Sequence, residues 1–256
     1  MMHVAAVQLD CQWENRAASH ARVRRLLDSA SIPEGTLVVL PEMFDVGFST
    51  NTAATNPGEP SDSERFCQTI AVERNVCVLA GVVARAGNGN LANEAVAFAP
   101  DGKELVRYRK MQPFTVPREH IHYPAGDRFK TFVWHGVKIS PFICYDLRFP
   151  ELFRKPAIDG AELLVVVASW PEKRSEHWVR LLQARAIENQ AFVLGVNRCG
   201  ADPGFRYDGR SCLFDPHGIQ LFQADAAEQV LIGHFNPIDA GAWRAAFPAL
   251  RDARHL

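Results

Sequence analysis

The 256 residues contain no block of like charge, no apolar run of membrane-spanning length and no C-x-x-C pair. Each absence removes a class of partner. Lysine and arginine number 28 against 29 aspartates and glutamates, interspersed along the chain, and the formal net charge is −1. That balance gives no electrostatic reason to expect DNA, RNA or an anionic membrane as partner. No uninterrupted apolar stretch approaches the roughly 20 residues that a bilayer-spanning helix needs. The opening MMHVAAVQLD also lacks the basic segment and long apolar run of a secretory signal. The six cysteines, Cys11, Cys67, Cys77, Cys144, Cys199 and Cys212, show no Cys/His grouping at zinc spacing, which argues against a disulfide framework or a metal knot. Neither G-x-G-x-x-G nor G-x-x-x-x-G-K-[ST] occurs, so nucleotide binding has no support. A cytoplasmic protein with reduced thiols is expected.

What is present is enough apolar sequence, 47% of the chain, to bury one sizeable core, and no Pro/Gly/Ser linker divides it. A single domain over residues 1–256 is expected. HVAAVQL (3–9) and TLVVL (36–40) read as strands, and Val23, Leu26, Leu27 and Ala30 between them keep the spacing of an amphipathic helix. A second helix is predicted over 61–75 with Ser61 as N-cap, followed by the strand VCVLAGVV. NGN (88–90) and PDG (100–102) mark turns between antiparallel strands. Further on, FKTFVW, VKISPFIC, AELLVVVAS, AFVLGVN, SCLFD, IQLFQ and QVLIGHF read as strands, with helices over about 149–158 and 175–190. The two halves repeat this order of elements. Mixed sheets, each covered by helices on one outer face, would bury the pattern, giving an α/β fold built as a four-layer α-β-β-α sandwich.

Three reactive residues stand at strand ends: Glu42 after TLVVLP, Lys110 after KELVRYR and Cys144 after VKISPFI. Sites in open α/β sheets gather beyond the carboxyl ends of strands, so the three can converge. Each also has a plain structural reading. A cysteine after an apolar run is commonly a small buried hydrophobe, Glu42 can be a solvated loop acid, and Lys110 can be a charge that guards a strand edge. Spacing alone does not choose between them.

The segments LPEMF, YRKMQPF and ICYDLRFPELFR, in that order, resemble the three signature segments of the nitrilase superfamily of carbon–nitrogen hydrolases. The similarity runs over nearly the whole chain, including GAELLVVVASWP and HWVRLLQARAIENQAFVLGVNRCG, and is greatest to the omega-amidase branch. Met111-Gln112 stands where many relatives carry a histidine and an apolar residue. The resemblance implies the sandwich fold and a Glu42, Lys110 and Cys144 triad. It also implies hydrolysis of the terminal amide of a small carboxylate-bearing substrate, such as α-ketoglutaramate or α-ketosuccinamate, through a thioester on Cys144. It implies no metal or organic cofactor, a homodimer or higher homo-oligomer, and a second acid at Glu119.

Amide hydrolysis needs a sulfur nucleophile, a proton shuttle and donors for the developing oxyanion. On this reading Glu42 is the general base, Lys110 favours the thiolate and stabilises the oxyanion, and the backbone N–H of Tyr145 is the second donor. Arg148 is a candidate to bind a substrate carboxylate, against the alternative of an ion pair with Glu151 or Asp146. Phe44 and Trp170 are candidate pocket walls. Arg185 falls on the apolar stripe of its helix and should pair with Glu188. His120 and His122 have the spacing of two strand ligands but no third partner, so no metal is assigned. A carbamoylase or aliphatic amidase with the same triad is the nearest alternative. A Cys–His hydrolase and a catalytically silent binding relative are more distant ones.

Overall fold

Among the described residues fourteen short strands, most of them apolar, condense into two six-stranded sheets and a small hairpin. The computed structural model describes residues 1–86 and 89–253; Asn88 of the predicted NGN turn and residues 254–256 lie outside the described residues. The first half supplies β1 (Met2–Gln8), α1 (Arg16–Ser29), β2 (Leu37–Leu40), α2 (Thr52–Thr55), α3 (Asp62–Arg74), β3 (Cys77–Arg85), β4 (Leu91–Phe98), β5 (Glu104–Arg109) and α4 (Glu119–His122). The second half supplies β6 (Phe132–Trp134), β7 (Val137–Ile143), α5 (Pro150–Ile158), β8 (Leu163–Ala168), α6 (Ser175–Asn189) and β9 (Phe192–Asn197). It continues through β10 (Cys199–Ala201), β11 (Arg206–Asp208), β12 (Cys212–Phe214), β13 (Gln220–Gln223), β14 (Gln229–Phe235), α7 (Ile238–Ala246) and α8 (Ala249–Asp252).

The sheets run β14-β1-β2-β3-β4-β5 and β13-β12-β9-β8-β7-β6, with β10-β11 apart. Period-two alternation sorts the first sheet's side chains. Val4, Ala6, Leu37, Val39 and Leu79 join the core shared with the second sheet. Their neighbours Ala5, Val7, Val38, Leu40 and Val78 pack instead with Val23 and Leu27 of α1 and Ile70 of α3. On the other side, Trp178, Leu182 and Ala186 of α6 and Phe153 of α5 cover the second sheet. The result is the α-β-β-α sandwich expected from the sequence.

Local chemistry explains the helix ends. Asn15 and Ser61 accept from the backbone N–H of Ala18 and Glu64, and Asn75 closes α3 in the left-handed conformation. Cys144–Arg148 forms a 3-10 turn, and α5 begins at Pro150, within one residue of the predicted start. Proline fits the first helical position but disfavours helical geometry in the residue before it, and Phe149 is extended. The closing strand returns to the first sheet. β14 pairs antiparallel with β1 over seven residues, from Met2 with Phe235 to Gln8 with Gln229.

The directions of the strands set the functional geometry. β2 and β3 are parallel, and two antiparallel steps through β4 give β5 the same direction. β7, β8 and β9 are parallel to one another. The turn after β2 is held against β3 by the bonds from Gly81 N to Pro41 O and from Phe44 N to Gly81 O, both 3.1 Å. This approach requires a glycine, because a Cβ on Gly81 would lie 2.5 Å from the Cα of Glu42 and 2.8 Å from the Pro41 carbonyl oxygen. Both obstacles are backbone. Gly81→Ala should therefore destabilise the fold by about 1–3 kcal/mol and displace Glu42, measured as a lower urea midpoint together with lost activity.

Candidate active site

Glu42, Lys110 and Glu119 form one buried cluster. Lys110 Nζ donates to Glu42 Oε1 at 2.7 Å and to Glu119 Oε1 and Oε2 at 3.0 and 2.9 Å. The side chains are 2% exposed for Lys110 and 0% for each carboxylate. Asn93, on β4, donates through Nδ2 to Glu42 at 2.8 Å and to Glu119 at 2.9 Å, so one amide bridges both acids. The backbone N–H of Ser169, beyond β8, donates to Glu42 Oε2 at 2.9 Å. Glu42 thus receives donors from both sheets rather than being a solvated loop acid.

Backbone placement explains this convergence. Lys110 follows β5 directly, its N–H bonded to Asn93 O at 3.0 Å and its carbonyl accepting from Gly126 N at 2.8 Å. Glu119 opens the one-turn α4, which folds back so that Phe114 N donates to Glu119 Oε2 at 2.5 Å and Glu119 N to Phe114 O at 3.1 Å. Burial by itself would lower the proton affinity of Lys110. The charges of Glu119 and Glu42 outweigh it, and the group is raised above its ordinary value, which keeps it an ammonium.

Cys144 stands at the end of β7 with φ 45°, a left-handed conformation unfavourable for a residue with a side chain. Asp146 holds this turn. Its Oδ2 accepts from Ile143 N at 2.9 Å and Tyr108 OH at 2.8 Å, and its Oδ1 from Gln112 N at 2.9 Å. One carboxylate therefore ties the Cys144 turn to β5 and to the segment after Lys110. Desolvation raises the Asp146 carboxyl to about 6 against these three donors and the Lys110 charge.

Among the six free cysteines, Cys144 alone is not fully buried. Its thiol is raised well above the ordinary value, first by desolvation and then by Glu42, and Lys110 offsets only part of this. This corrects the expected thiolate. Lys110 is already neutralised by two carboxylates, so the resting group is a thiol.

Cys144 opens onto a cavity lined by Phe48, Phe114, Tyr145, Trp170, Tyr207 and other residues, with Lys110 and Ser169 also on its wall. Trp170, a predicted pocket wall, and Tyr145 both line this cavity. Arg148 also faces the cavity, and its predicted pair with Glu151 or Asp146 does not form. Asp146 is engaged by its three donors, and Arg148 instead lies 4.8 Å over the Trp170 ring with Nη2 3.3 Å from His177 Nδ1. Phe44 is a correction of the opposite kind. It packs in the core between the first sheet and its helices, stacked near His20 and Phe66. Met43 has a positive φ, which turns the chain so that Phe48, six residues after Glu42, faces the cavity. Arg185 pairs with Glu188 at 2.9 Å as predicted, and its Nη2 also reaches Leu147 O at 2.7 Å, bracing the turn after Cys144 from α6. His120 and His122 belong to the helical turn α4, where two-residue spacing does not place side chains on one face. Among the described residues no group of three His, Cys, Asp or Glu side chains suits a metal. No helix among them is long and apolar enough to cross a membrane.

Sequence reasoning missed Asn93, Ser169, Phe48 and Phe114, and treated Asp146 only as a partner for Arg148. Two carried a signal: Ser169 follows a strand as Cys144 does, and Asn93 interrupts the apolar strand LANEAVAF. The cluster also generates a stability prediction. Lys110→Met leaves two carboxylates buried without their cation and should lower unfolding free energy by about 3–5 kcal/mol, read from urea denaturation at neutral pH.

Comparison with known proteins agrees with this geometry. The family model "Carbon-nitrogen hydrolase" matches residues 3–245. Omega-amidase YafV of Yersinia enterocolitica is 35% identical over 253 residues, covering 98% of this chain and 96% of that protein. The 2-oxoglutaramate amidase of Bacillus subtilis is 30% identical over 252 residues, covering 98% and 97%. The crystal structure of XC1258 from Xanthomonas campestris, described as a CN-hydrolase superfamily protein with an arsenic adduct in its active site, superposes with TM-score 0.93 at 31% identity, over 100% of this chain and 98% of that one. The chain belongs to the carbon–nitrogen hydrolases of the nitrilase superfamily, near the omega-amidase branch, and is an enzyme acting on amides.

Proposed function

We propose that this enzyme hydrolyses the terminal amide of a small carboxylate-bearing substrate of the 2-oxoglutaramate type, through a thioester on Cys144. The observation that carries the reading is the Glu42–Lys110–Glu119 cluster buried beside the single accessible thiol, with Arg148 on the wall of the same cavity. The names of the omega-amidase and 2-oxoglutaramate amidase relatives support the substrate class.

Because the thiol rests protonated, deprotonation accompanies attack. Glu42 removes the Sγ proton as sulfur bonds to the amide carbon, and the C–O π electrons move to oxygen. Lys110 Nζ and the Tyr145 N–H stabilise that oxyanion. When the oxygen electrons return, the C–N bond breaks, Glu42 passes its proton to nitrogen and ammonia leaves. Water then attacks the thioester, Glu42 takes its proton, and the C–S bond breaks to give the acid and a thiol that regains that proton. Lys110 keeps its charge throughout. Glu119 and Asn93 act on Lys110 and Glu42 as positioning residues, and Arg148 receives the carboxylate at the far end of the substrate. An N-carbamoyl amino acid also carries a carboxylate, and a panel of substrates separates the two readings.

Ammonia release from 2-oxoglutaramate should be abolished in Cys144→Ala and fall roughly 10²–10⁴-fold in Glu42→Gln. Undiminished release in the alanine variant, or faster turnover of N-carbamoyl amino acids than of 2-oxoglutaramate in the wild type, would overturn the assignment. The protonated resting thiol has its own signature. Iodoacetamide should label Cys144 ahead of the five buried cysteines, at a rate still rising with pH above pH 9, because the folded-state thiol is raised above its ordinary value. Peptide mapping after alkylation across a pH series provides the check; a plateau near neutral pH would indicate a resting thiolate.

A further inference from the structure

Two guanidinium groups, not one, face the cavity. Arg148 rests over the Trp170 ring at 4.8 Å and Arg174 over the Phe114 ring at 5.6 Å. The two platforms come from different elements, Phe114 from the loop after Lys110 and Trp170 from the end of β8. The backbone of Arg174 is fixed as well, its carbonyl accepting from Trp170 Nε1 at 2.8 Å. Arg174 closes a 3-10 segment, Glu172–Arg174, immediately before α6.

Among the described residues no carboxylate forms an ion pair with either side chain, and the Arg148 guanidinium meets an imidazole nitrogen instead, His177 Nδ1. Both groups are partly buried. Desolvation and the charge of Arg174 together lower Arg148 from its ordinary value, so each cation sits in the other's repulsive field. Two half-buried cations held on aromatic rings without a counter-ion form a preorganised anion receptor.

We infer that Arg174 is a specificity-determining residue, which with Arg148 forms a dicationic clamp for a carboxylate bearing a neighbouring carbonyl. This deepens the proposed function and rests on it. A 2-oxo carboxylate presents three coplanar acceptor oxygens, more than one guanidinium fork can satisfy, so a second fork has a partner to meet. The amino acid of the same length, glutamine, replaces the carbonyl with an ammonium, which the pair of cations repels. The clamp therefore selects 2-oxo acid amides against amino acid amides as well as against uncharged amides.

The test compares kcat/KM on 2-oxoglutaramate, glutamine and pentanamide for the wild type, Arg174→Met and Arg174→Lys. The methionine keeps the apolar stem and removes the charge. The preference for 2-oxoglutaramate over each of the other two amides should fall about tenfold or more in Arg174→Met, chiefly through KM, and recover in part in Arg174→Lys. A preference that persists in Arg174→Met overturns the clamp while leaving the proposed function standing. A wild type with no preference for 2-oxoglutaramate over pentanamide overturns the carboxylate reading of the site itself, and the clamp with it.

Discussion

The structure is organised around one ammonium group placed between two carboxylates where water does not reach. Lys110 touches Glu42 and Glu119 simultaneously, and neither acid is exposed. Burying three charges is unfavourable unless each finds partners. The partners here come from separate elements: the turn after β2, the end of β5, the turn α4, Asn93 on β4 and the backbone beyond β8. Those elements must pack in one relative arrangement for the charges to be satisfied, which makes the cluster a constraint on the sandwich as well as chemistry.

The same cluster sets the electrostatic surroundings of the Cys144 thiol. A free ammonium beside a thiol would pull off its proton, but Lys110 is already compensated by two negative charges. What reaches Cys144 is a net environment that disfavours the thiolate. Catalysis of this kind depends on a base in place at the moment of attack. The left-handed backbone at Cys144, held through Asp146 by Ile143, Tyr108 and Gln112, and through Arg185 by Leu147, supplies the fixed geometry that such a transfer demands. Asp146 serves here as an internal acceptor for three donors, which is why it is unavailable to Arg148, and why Arg148 is left facing the cavity.

The sequence carried much of this. Strand periodicity, the helix cap at Ser61 and turn signals suffice for the order of the main elements, because they depend on local physics. The positions of Glu42, Lys110 and Cys144 at strand ends were legible for the same reason, and three ordered segments turned a weak positional hint into a family. Orientation was not legible. Phe44 and Phe48 lie four residues apart in one loop, and only the turn at Met43 decides which enters the core and which faces the cavity. Asn93 reads as one polar residue in an apolar strand until β4 brings it under the two acids.

Periodicity determined the order of the main strands and helices, and the three ordered segments, through the family they resemble, determined the sandwich and the enzyme class. Tertiary structure alone decided that β14 closes the first sheet, that Glu42 lies among donors rather than apolar groups, that Cys144 rests as a thiol, and that Arg148 and Arg174 face the cavity together. The division has a physical cause. Secondary structure and reactive-group identity follow from neighbours along the chain, whereas charge state and side-chain direction follow from neighbours in space, which join positions as distant as Glu42 and Ser169.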